Sequence, residues 1–278
     1  MLILAATPIG NLSDASPRLL EHLENTRFIA AEDTRSLLKL ANSLGVKLAA
    51  KLFSLHEHNE SDRLAQLVEI AAEQDVLVVS DAGMPTVSDP GFLLVRACVE
   101  AGVAVTVVPG PSAVLAALSV SGLPTDRFTF EGFLPRKAGD RRKAFEALSG
   151  ETRTMVFFES PHRILESLED AAAVLGATRQ ASVSRELTKK FEHTERGTLA
   201  QLIEWAKSEP KGEMVLVLAG GVKTAKNPNE LVELVLALAE SGTGLKQAVA
   251  EVATANAVGK SELYSLALEA RAGKRSLN

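Results

Sequence analysis

Short apolar runs rich in β-branched residues alternate with stretches whose apolar residues recur every three to four positions over the first 120 residues. That rhythm predicts a parallel sheet wrapped by helices. The strands fall near Leu2 to Ala6, Phe28 to Ala31, Lys51 to Leu55, Val76 to Ser80 and Val103 to Val108. Local signals agree: Ser16 followed by Pro17 reads as a helix N-cap with proline in the first helical position, and Gly45 and Gly102 stand where helices should end in a left-handed residue. Beyond Gly122-Leu-Pro124 the strands are spaced differently. Runs at Phe128 to Phe133, Thr154 to Phe158, Ala181 to Arg185 and Met214 to Leu218 alternate with helices at Arg141 to Leu148, Pro161 to Leu175 and Leu199 to Ser208, the last opened by a Thr198/Gln201 capping box. From Asn227 onward only helical patterns remain: Glu230 to Ala239, then Leu245 to Thr254 and Ser261 to Ala270 around a short turn with Asn256 and Gly259, a spacing like that of a helix-turn-helix and equally of a plain helical hairpin. The expected organisation is an α/β domain over residues 1–124, a second α/β domain over 125–222 and a helical tail over 223–278.

Composition narrows the class. The chain has 278 residues, 46% hydrophobic and 23% charged, and no apolar run approaches the roughly 20 residues that span a bilayer, so a membrane protein is excluded. Met1 to Ala6 is too short for a signal segment, and the single cysteine, Cys98, allows neither an internal disulfide nor a thiolate metal cluster; a cytoplasmic protein is expected. Net charge is −5, which argues against coating nucleic acid by bulk electrostatics. Two basic places remain for local contact, Arg136, Lys137, Arg141, Arg142 and Lys143 around Asp140, and Arg271, Lys274 and Arg275 in the tail; each is also what a solvated face looks like.

In parallel α/β sheets the ligand crevice lies beyond the carboxyl ends of the strands. Those loops are dense in glycine and proline here: Thr7-Pro-Ile-Gly-Asn-Leu-Ser-Asp14 after the first strand, Ser80-Asp-Ala-Gly-Met-Pro-Thr-Val-Ser-Asp-Pro-Gly91 after the fourth, and Pro109-Gly-Pro-Ser-Ala113 after the fifth. Tight turns of this kind let backbone approach a ligand closely. No G-x-G-x-x-G follows a strand, which removes Rossmann dinucleotide binding. Gly259-Lys-Ser261 ends like a phosphate loop, but Thr254 occupies the required first glycine and both flanks are helical. His56 and His58 alternate faces with no H-E-x-x-H spacing, so no metal is expected. Asp81, ending an apolar strand, reads equally as an acceptor for a ligand's amino or hydroxyl groups and as an Asx-turn or cap. Glu32, Asp33 and Arg35 end the second strand; Glu159 and Arg163 flank Ser160-Pro-His162; Arg185, Glu186 and Lys189 follow another strand. These acids and bases either face a cleft or pair with one another.

Together the loops carry a resemblance. Thr7 to Asp14, Ala30-Ala-Glu-Asp-Thr-Arg35, Ser80 to Pro85 with Asp89-Pro-Gly91, Pro109 to Ser112, Glu131-Gly-Phe-Leu-Pro135, Glu159 to Arg163, Arg185-Glu-Leu-Thr-Lys189 and Gly212-Glu-Met-Val215 look like the tetrapyrrole methylase superfamily, in the branch that modifies small-subunit ribosomal RNA, over about Leu2 to Gly220. Met84 departs from the threonine expected there. The resemblance implies two α/β domains with a cleft between them, S-adenosylmethionine as methyl donor, the ribose 2′-hydroxyl of a cytidine in 16S ribosomal RNA as acceptor, and a homodimer. It assigns Asp81, Met84, Ser112 and Ala113 to the cofactor, with Pro8, Gly83 and Pro85 shaping the pocket and Phe158, Leu187 and Glu213 completing it from the second domain. A hydroxyl attacking a methyl sulfonium loses its proton, so a base is expected among Glu32, Asp33, Glu159 and Glu186. Arg35, Arg163, Arg185 and Lys189, with the basic loop from Arg136 to Lys143, are expected on the RNA backbone. A precorrin-type small-molecule methylase and a non-catalytic ribosome-assembly module are the rival readings; neither a basic loop nor a helical tail is needed by the first.

Overall fold

The computed structural model describes residues 1–56, 58–221, 227–256 and 258–275, with side chains as far as 272. It forms two compact units, Met1–Ala219 and Gly220–Asn278. The larger holds two five-stranded sheets.

The first sheet contains β1 (Leu2–Ala5), β2 (Phe28–Ala31), β3 (Lys51–Ser54), β4 (Val76–Val79) and β5 (Val105–Val108), all parallel in the order β3-β2-β4-β1-β5. Helices cover both faces. On one, α1 (Pro17–Asn25) and α2 (Thr34–Ser43) pack Leu19, Leu23, Leu37 and Ala41 on Ile3, Ile29 and Leu77. On the other, α3 (Glu60–Glu73) and α4 (Phe92–Glu100) pack Leu67, Leu94 and Cys98 on Leu2, Val76 and Val78. Burial on both faces is why β4 reads as the uninterrupted apolar run Val-Leu-Val-Val. The expected caps are present: Ser16 accepts from the Leu19 N–H at 3.1 Å, and Gly45 and Gly102 take φ of 72° and 70°. Because the chain leaves β1 toward β2 and leaves β4 toward β5, on opposite sides, β1 and β4 flank a switch point where their following loops part and leave a crevice.

A helix, α5 (Ala113–Val120), leads to the second sheet: β6 (Phe128–Phe133), β7 (Thr154–Glu159), β8 (Gln180–Arg185), β9 (His193–Thr198) and β10 (Met214–Leu218), ordered β6-β7-β10-β8-β9. Only β6 and β7 run parallel; the other pairings are antiparallel. β9 is a strand the hydrophobic pattern does not predict. One face of this sheet carries α6 (Ala138–Ala147), α7 (Ile164–Leu175) and α8 (Leu199–Ala206) around Phe145, Phe157, Leu168 and Leu202; α8 opens with the Thr198/Gln201 capping box. The other face meets α5, whose Val114, Ala117 and Leu118 pack with Val156, Leu187, Val215 and Val217. α5, which follows the last strand of the first sheet, therefore packs on the second.

The smaller unit is three helices, α9 (Pro228–Glu240), α10 (Leu245–Asn256) and α11 (Lys260–Arg275), around Leu231, Val235, Val249, Val252 and Leu263. α9 packs on both α10 and α11, so the expected helical pair is part of a three-helix unit. Arg271 is exposed; the side chains of Lys274 and Arg275 lie outside the described residues. Among the described residues no helix is long and apolar enough to cross a membrane, and no group of His, Cys, Asp and Glu could hold a metal ion.

Candidate active site

The switch point is built from two loops clipped together. Thr7 and Gly83 exchange both backbone hydrogen bonds, at 2.9 and 3.1 Å, and the Thr7 hydroxyl donates to the Ser80 carbonyl at 3.2 Å. Gly83 is buried with φ +82°, a conformation that costs an L side chain and leaves glycine unstrained. Pro8 and Pro85, both buried, flank this clip and fix its entry and exit. At the far end of the second loop the buried Glu60 carboxylate accepts from the Gly91 and Leu94 N–H groups, both at 3.1 Å, and so caps α4 from a neighbouring helix. Between these anchors Thr86 and Ser88 are held at φ 73° and 63°. Left-handed backbone at non-glycine positions costs on the order of 1–3 kcal/mol each and persists only where its surroundings impose it.

A cavity of ≈ 330 Å³ opens there, within the about 300–1,000 Å³ typical of small-molecule sites. Its first wall is Glu32, Asp81, Gly83, Met84, Val87, Ser88 and Asp89, with Ser112, Ala113 and Val114 from the start of α5; the second is Phe133, Phe158, Glu159, Leu187 and Glu213 to Val215 from the second sheet. Of the residues expected at the cofactor, Asp81, Gly83, Met84, Ser112, Ala113, Phe158, Leu187 and Glu213 line it, whereas Pro8 and Pro85 are buried beside the clip and do not line it. Asp81 accepts the Asp33 N–H at 3.2 Å rather than one from its own loop, so it joins the ends of β4 and β2 instead of making an Asx-turn.

The acids divide sharply. Asp33 caps α2, accepts from the Arg35 backbone at 2.8 Å and pairs with the Arg35 guanidinium at 2.8 Å; those hydrogen bonds hold its carboxyl down at about 2. Glu159 is fully buried, bonded to Arg163 Nη2, to the Ser167 hydroxyl (both 2.6 Å) and to the Ser160 N–H (2.7 Å). Glu186 accepts from Lys189 Nζ at 3.0 Å, which lowers its pKa, and from the Glu213 N–H at 3.1 Å. Burial alone would lower Lys189, but Glu213 and Glu186 together raise it. Three of the four expected bases are thus committed to local structure, although Glu159 also lines the cavity. Glu32 differs: burial first, then the Asp81 and Asp33 charges, push its pKa up. Asp89, not anticipated from the sequence, behaves likewise. Burial and the charges of Glu32 and Asp81 raise it to about 6 against a hydrogen bond from Ser80. Among the described residues no cation pairs with Glu32, Asp81 or Asp89.

The expected RNA contacts also separate. Arg136, Lys137 and Lys143 are exposed, and Arg142 is exposed though its Nε reaches Asp170 Oδ1 at 2.6 Å. Arg35 is exposed beyond its pairing with Asp33, Arg185 donates to the Lys211 carbonyl at 3.3 Å, and Arg163 and Lys189 are held by the acids named above. Arg141 requires correction as a phosphate contact: it is 1% exposed, locked between Asp170 (2.7 Å) and Glu166 (3.2 Å), so its charge serves the fold.

The rim made by Glu186, Lys189 and Glu213 depends on Gly212. With φ +100°, its missing Cβ would sit on the Glu186 side chain. Gly212→Ala is expected to lower the thermal midpoint by about 2–8 °C, the equivalent of roughly 1–2 kcal/mol of left-handed strain, with further loss from the displaced carboxylate. An unchanged melt would mean the rim tolerates a side chain there.

Known proteins match this architecture. The family model for Tetrapyrrole (Corrin/Porphyrin) Methylases covers residues 1–203. Ribosomal RNA small subunit methyltransferase I of Escherichia coli O157:H7 is 44% identical over 272 residues, 96% of this chain and 94% of that protein. The protein of the same name from Mycobacterium tuberculosis (strain CDC 1551 / Oshkosh) is 46% identical, over 97% and 95%. Among solved structures the methyltransferase CobJ aligns with TM-score 0.57 at 19% identity, over 79% of this chain and 94% of its own, and diphthine synthase with TM-score 0.57 at 16%, over 78% and 89%. The family match, the near full-length relatives and a two-sheet fold with its cavity at the switch point agree: the chain belongs to the tetrapyrrole methylase family, with the ribosomal RNA small subunit methyltransferases I as its relatives.

Proposed function

We propose that this methyltransferase uses S-adenosylmethionine to methylate the ribose 2′-hydroxyl of a cytidine in 16S ribosomal RNA of the small ribosomal subunit, in the cytoplasm, with residues 1–124 and 125–222 as two lobes around the cavity and 223–278 as an appended tail. The observation that carries the reading is one cavity joining carboxylates that lack cationic partners among the described residues to an apolar wall, beside exposed cations. The relatives' names support the choice of RNA.

The donor set fits the cofactor. Asp81 would hold its positive charge, the N-terminus of α5 at Ser112 and Ala113 suits a carboxylate, and Phe158, Leu187, Met214 and Val215 offer apolar surface to a ring. When bound, the cofactor supplies an electrophilic methyl on a sulfonium. The chain's own task is to place the 2′-oxygen and accept its proton. A base works best with a pKa near the operating pH, which favours Asp89, with Glu32 coupled to it, over the ion-paired Asp33, Glu159 and Glu186. Arg136, Lys137, Arg142 and Lys143 stay outside to meet phosphate. A homodimer would cover Phe92 and Val99, exposed on α4.

The test is incubation with labelled S-adenosylmethionine and either small ribosomal subunits lacking the modification or a tetrapyrrole. Label is expected at a cytidine ribose in the subunits. Label in the tetrapyrrole would make the chain a small-molecule methylase, and absence of calorimetric cofactor binding would make it a non-catalytic assembly module.

A further inference from the structure

A β-bulge delivers an exposed aromatic ring to the mouth of the cavity. Residues 130 and 133 of a regular strand point to opposite faces. In β6 the pairing with β7 shifts register between Phe130 and Phe133, and Gly132 takes φ +70° there. The extra residue turns Phe133 back, so that both rings meet Phe158 edge-on, at 4.9 and 5.4 Å between centroids. Bulges re-aim side chains in this way beside active sites. Phe158 is held within the sheet, whereas Phe133 lines the cavity and remains 62% exposed. The segment is also pinned: Arg163, bound to the buried Glu159, donates to the Leu134 carbonyl at 3.1 Å.

Charge decides what can lie on that ring. Inside the cavity stand Glu32, Asp81 and Asp89; on the chain just past the ring stand the exposed Arg136 and Lys137. A phosphate is repelled from the first group and attracted by the second. The part of a polynucleotide that enters must therefore be an uncharged nucleoside, with its flanking phosphates left at the rim.

We propose that Phe133 is the platform on which the target pyrimidine base stacks once it is swung out of the RNA, placing its ribose over the cavity while Arg136 and Lys137 hold adjacent phosphates. Aromatic side chains receive unstacked bases in this manner and tolerate any base, because every base has a flat face. The assignment rests on the functional reading above and adds to it the residue that presents the substrate.

Phe133→Ala and Phe133→Trp, as full-length proteins, test it with unmodified small subunits as substrate and calorimetric titration of S-adenosylmethionine alongside. Phe133→Ala is expected to lower kcat/KM for subunits about 5- to 150-fold, the range of one base–aromatic stack, with cofactor affinity within about twofold of wild type. Phe133→Trp is expected to recover most of the loss, which a merely structural role for the ring would not give. If Phe133→Ala keeps wild-type kcat/KM, or if its loss lies in cofactor affinity, the assignment is wrong while the functional reading stands. If the wild-type protein transfers no methyl to subunits, the functional reading fails and takes this assignment with it.

Discussion

Asp89→Asn is expected to cut turnover on small subunits by about 10²-fold or more, the contribution of a positioned base, while making the protein more stable above pH 6. Both effects have one source. Burial and the neighbouring charges of Glu32 and Asp81 raise the Asp89 carboxyl from 3.8 to about 6. Between those values the folded protein keeps a proton that the unfolded chain has released, so stability falls as pH rises through this window and stays reduced above it. Asparagine never ionises and escapes that loss; below about pH 4 the variant and wild type should melt alike. Wild-type kcat/KM is expected to rise with pH through about 6 and to level off roughly a unit higher, with an apparent pKa belonging to the coupled carboxylates rather than to one of them. Glu32→Gln provides the comparison: if turnover survives Asp89→Asn and is lost in Glu32→Gln, the proton goes to Glu32. A variant that is both slower and less stable at pH 8 would contradict the electrostatics.

That residue also marks the limit of what the chain discloses on inspection. The first sheet is legible because strands buried on both faces are written as apolar runs, and its loops are legible because tight turns need glycine and proline. β9, His-Thr-Glu-Arg-Gly-Thr, is not: it lies at a sheet edge, largely uncovered, and is held by backbone bonds to β8 that leave no mark on residue type. Asp81 stands at a strand end, where inspection looks first. Asp89 sits later in the same loop, and its character comes from Glu32, which is brought near by folding. One signal does exist in the spacing. Asp33, Glu159 and Glu186 each have a basic residue two to four positions on, at Arg35, Arg163 and Lys189, and pair with it. Asp89 has its nearest downstream cation at Arg96, which pairs with Glu100, while Glu32 has Arg35 three positions on but loses it to Asp33. Arg141 had a similar sign: it stands four residues before Phe145, on the helix face that enters the core.

Asp170→Ala should cost about 3–5 kcal/mol, because it strands the Arg141 guanidinium inside the protein. Against a total stability of about 5–15 kcal/mol, that is enough to unfold a marginal protein at physiological temperature. Asp170 accepts from Arg141 at 2.7 Å and from Arg142 at 2.6 Å. Burial would raise its pKa, but the two guanidinium groups outweigh it and the net shift is downward. Its stabilising charge is therefore present above the ordinary value of 3.8 and lost as pH falls through the lower folded value. After truncation the remaining acid, Glu166, is 63% exposed and at 3.2 Å is a weak substitute, whereas the half-exposed Arg142 can turn to water. Removing both charges together, as Arg141→Met with Asp170→Leu, leaves nothing stranded and should restore most of the loss. The same pair separates structure from recognition. Arg136→Ala should make the salt dependence of RNA binding shallower by about one unit of slope for each phosphate it no longer neutralises, and the buried double variant should leave that slope unchanged. If the double variant instead weakens RNA binding and flattens its salt dependence with the fold intact, Arg141 reaches phosphate after all, and its burial is not the state that binds.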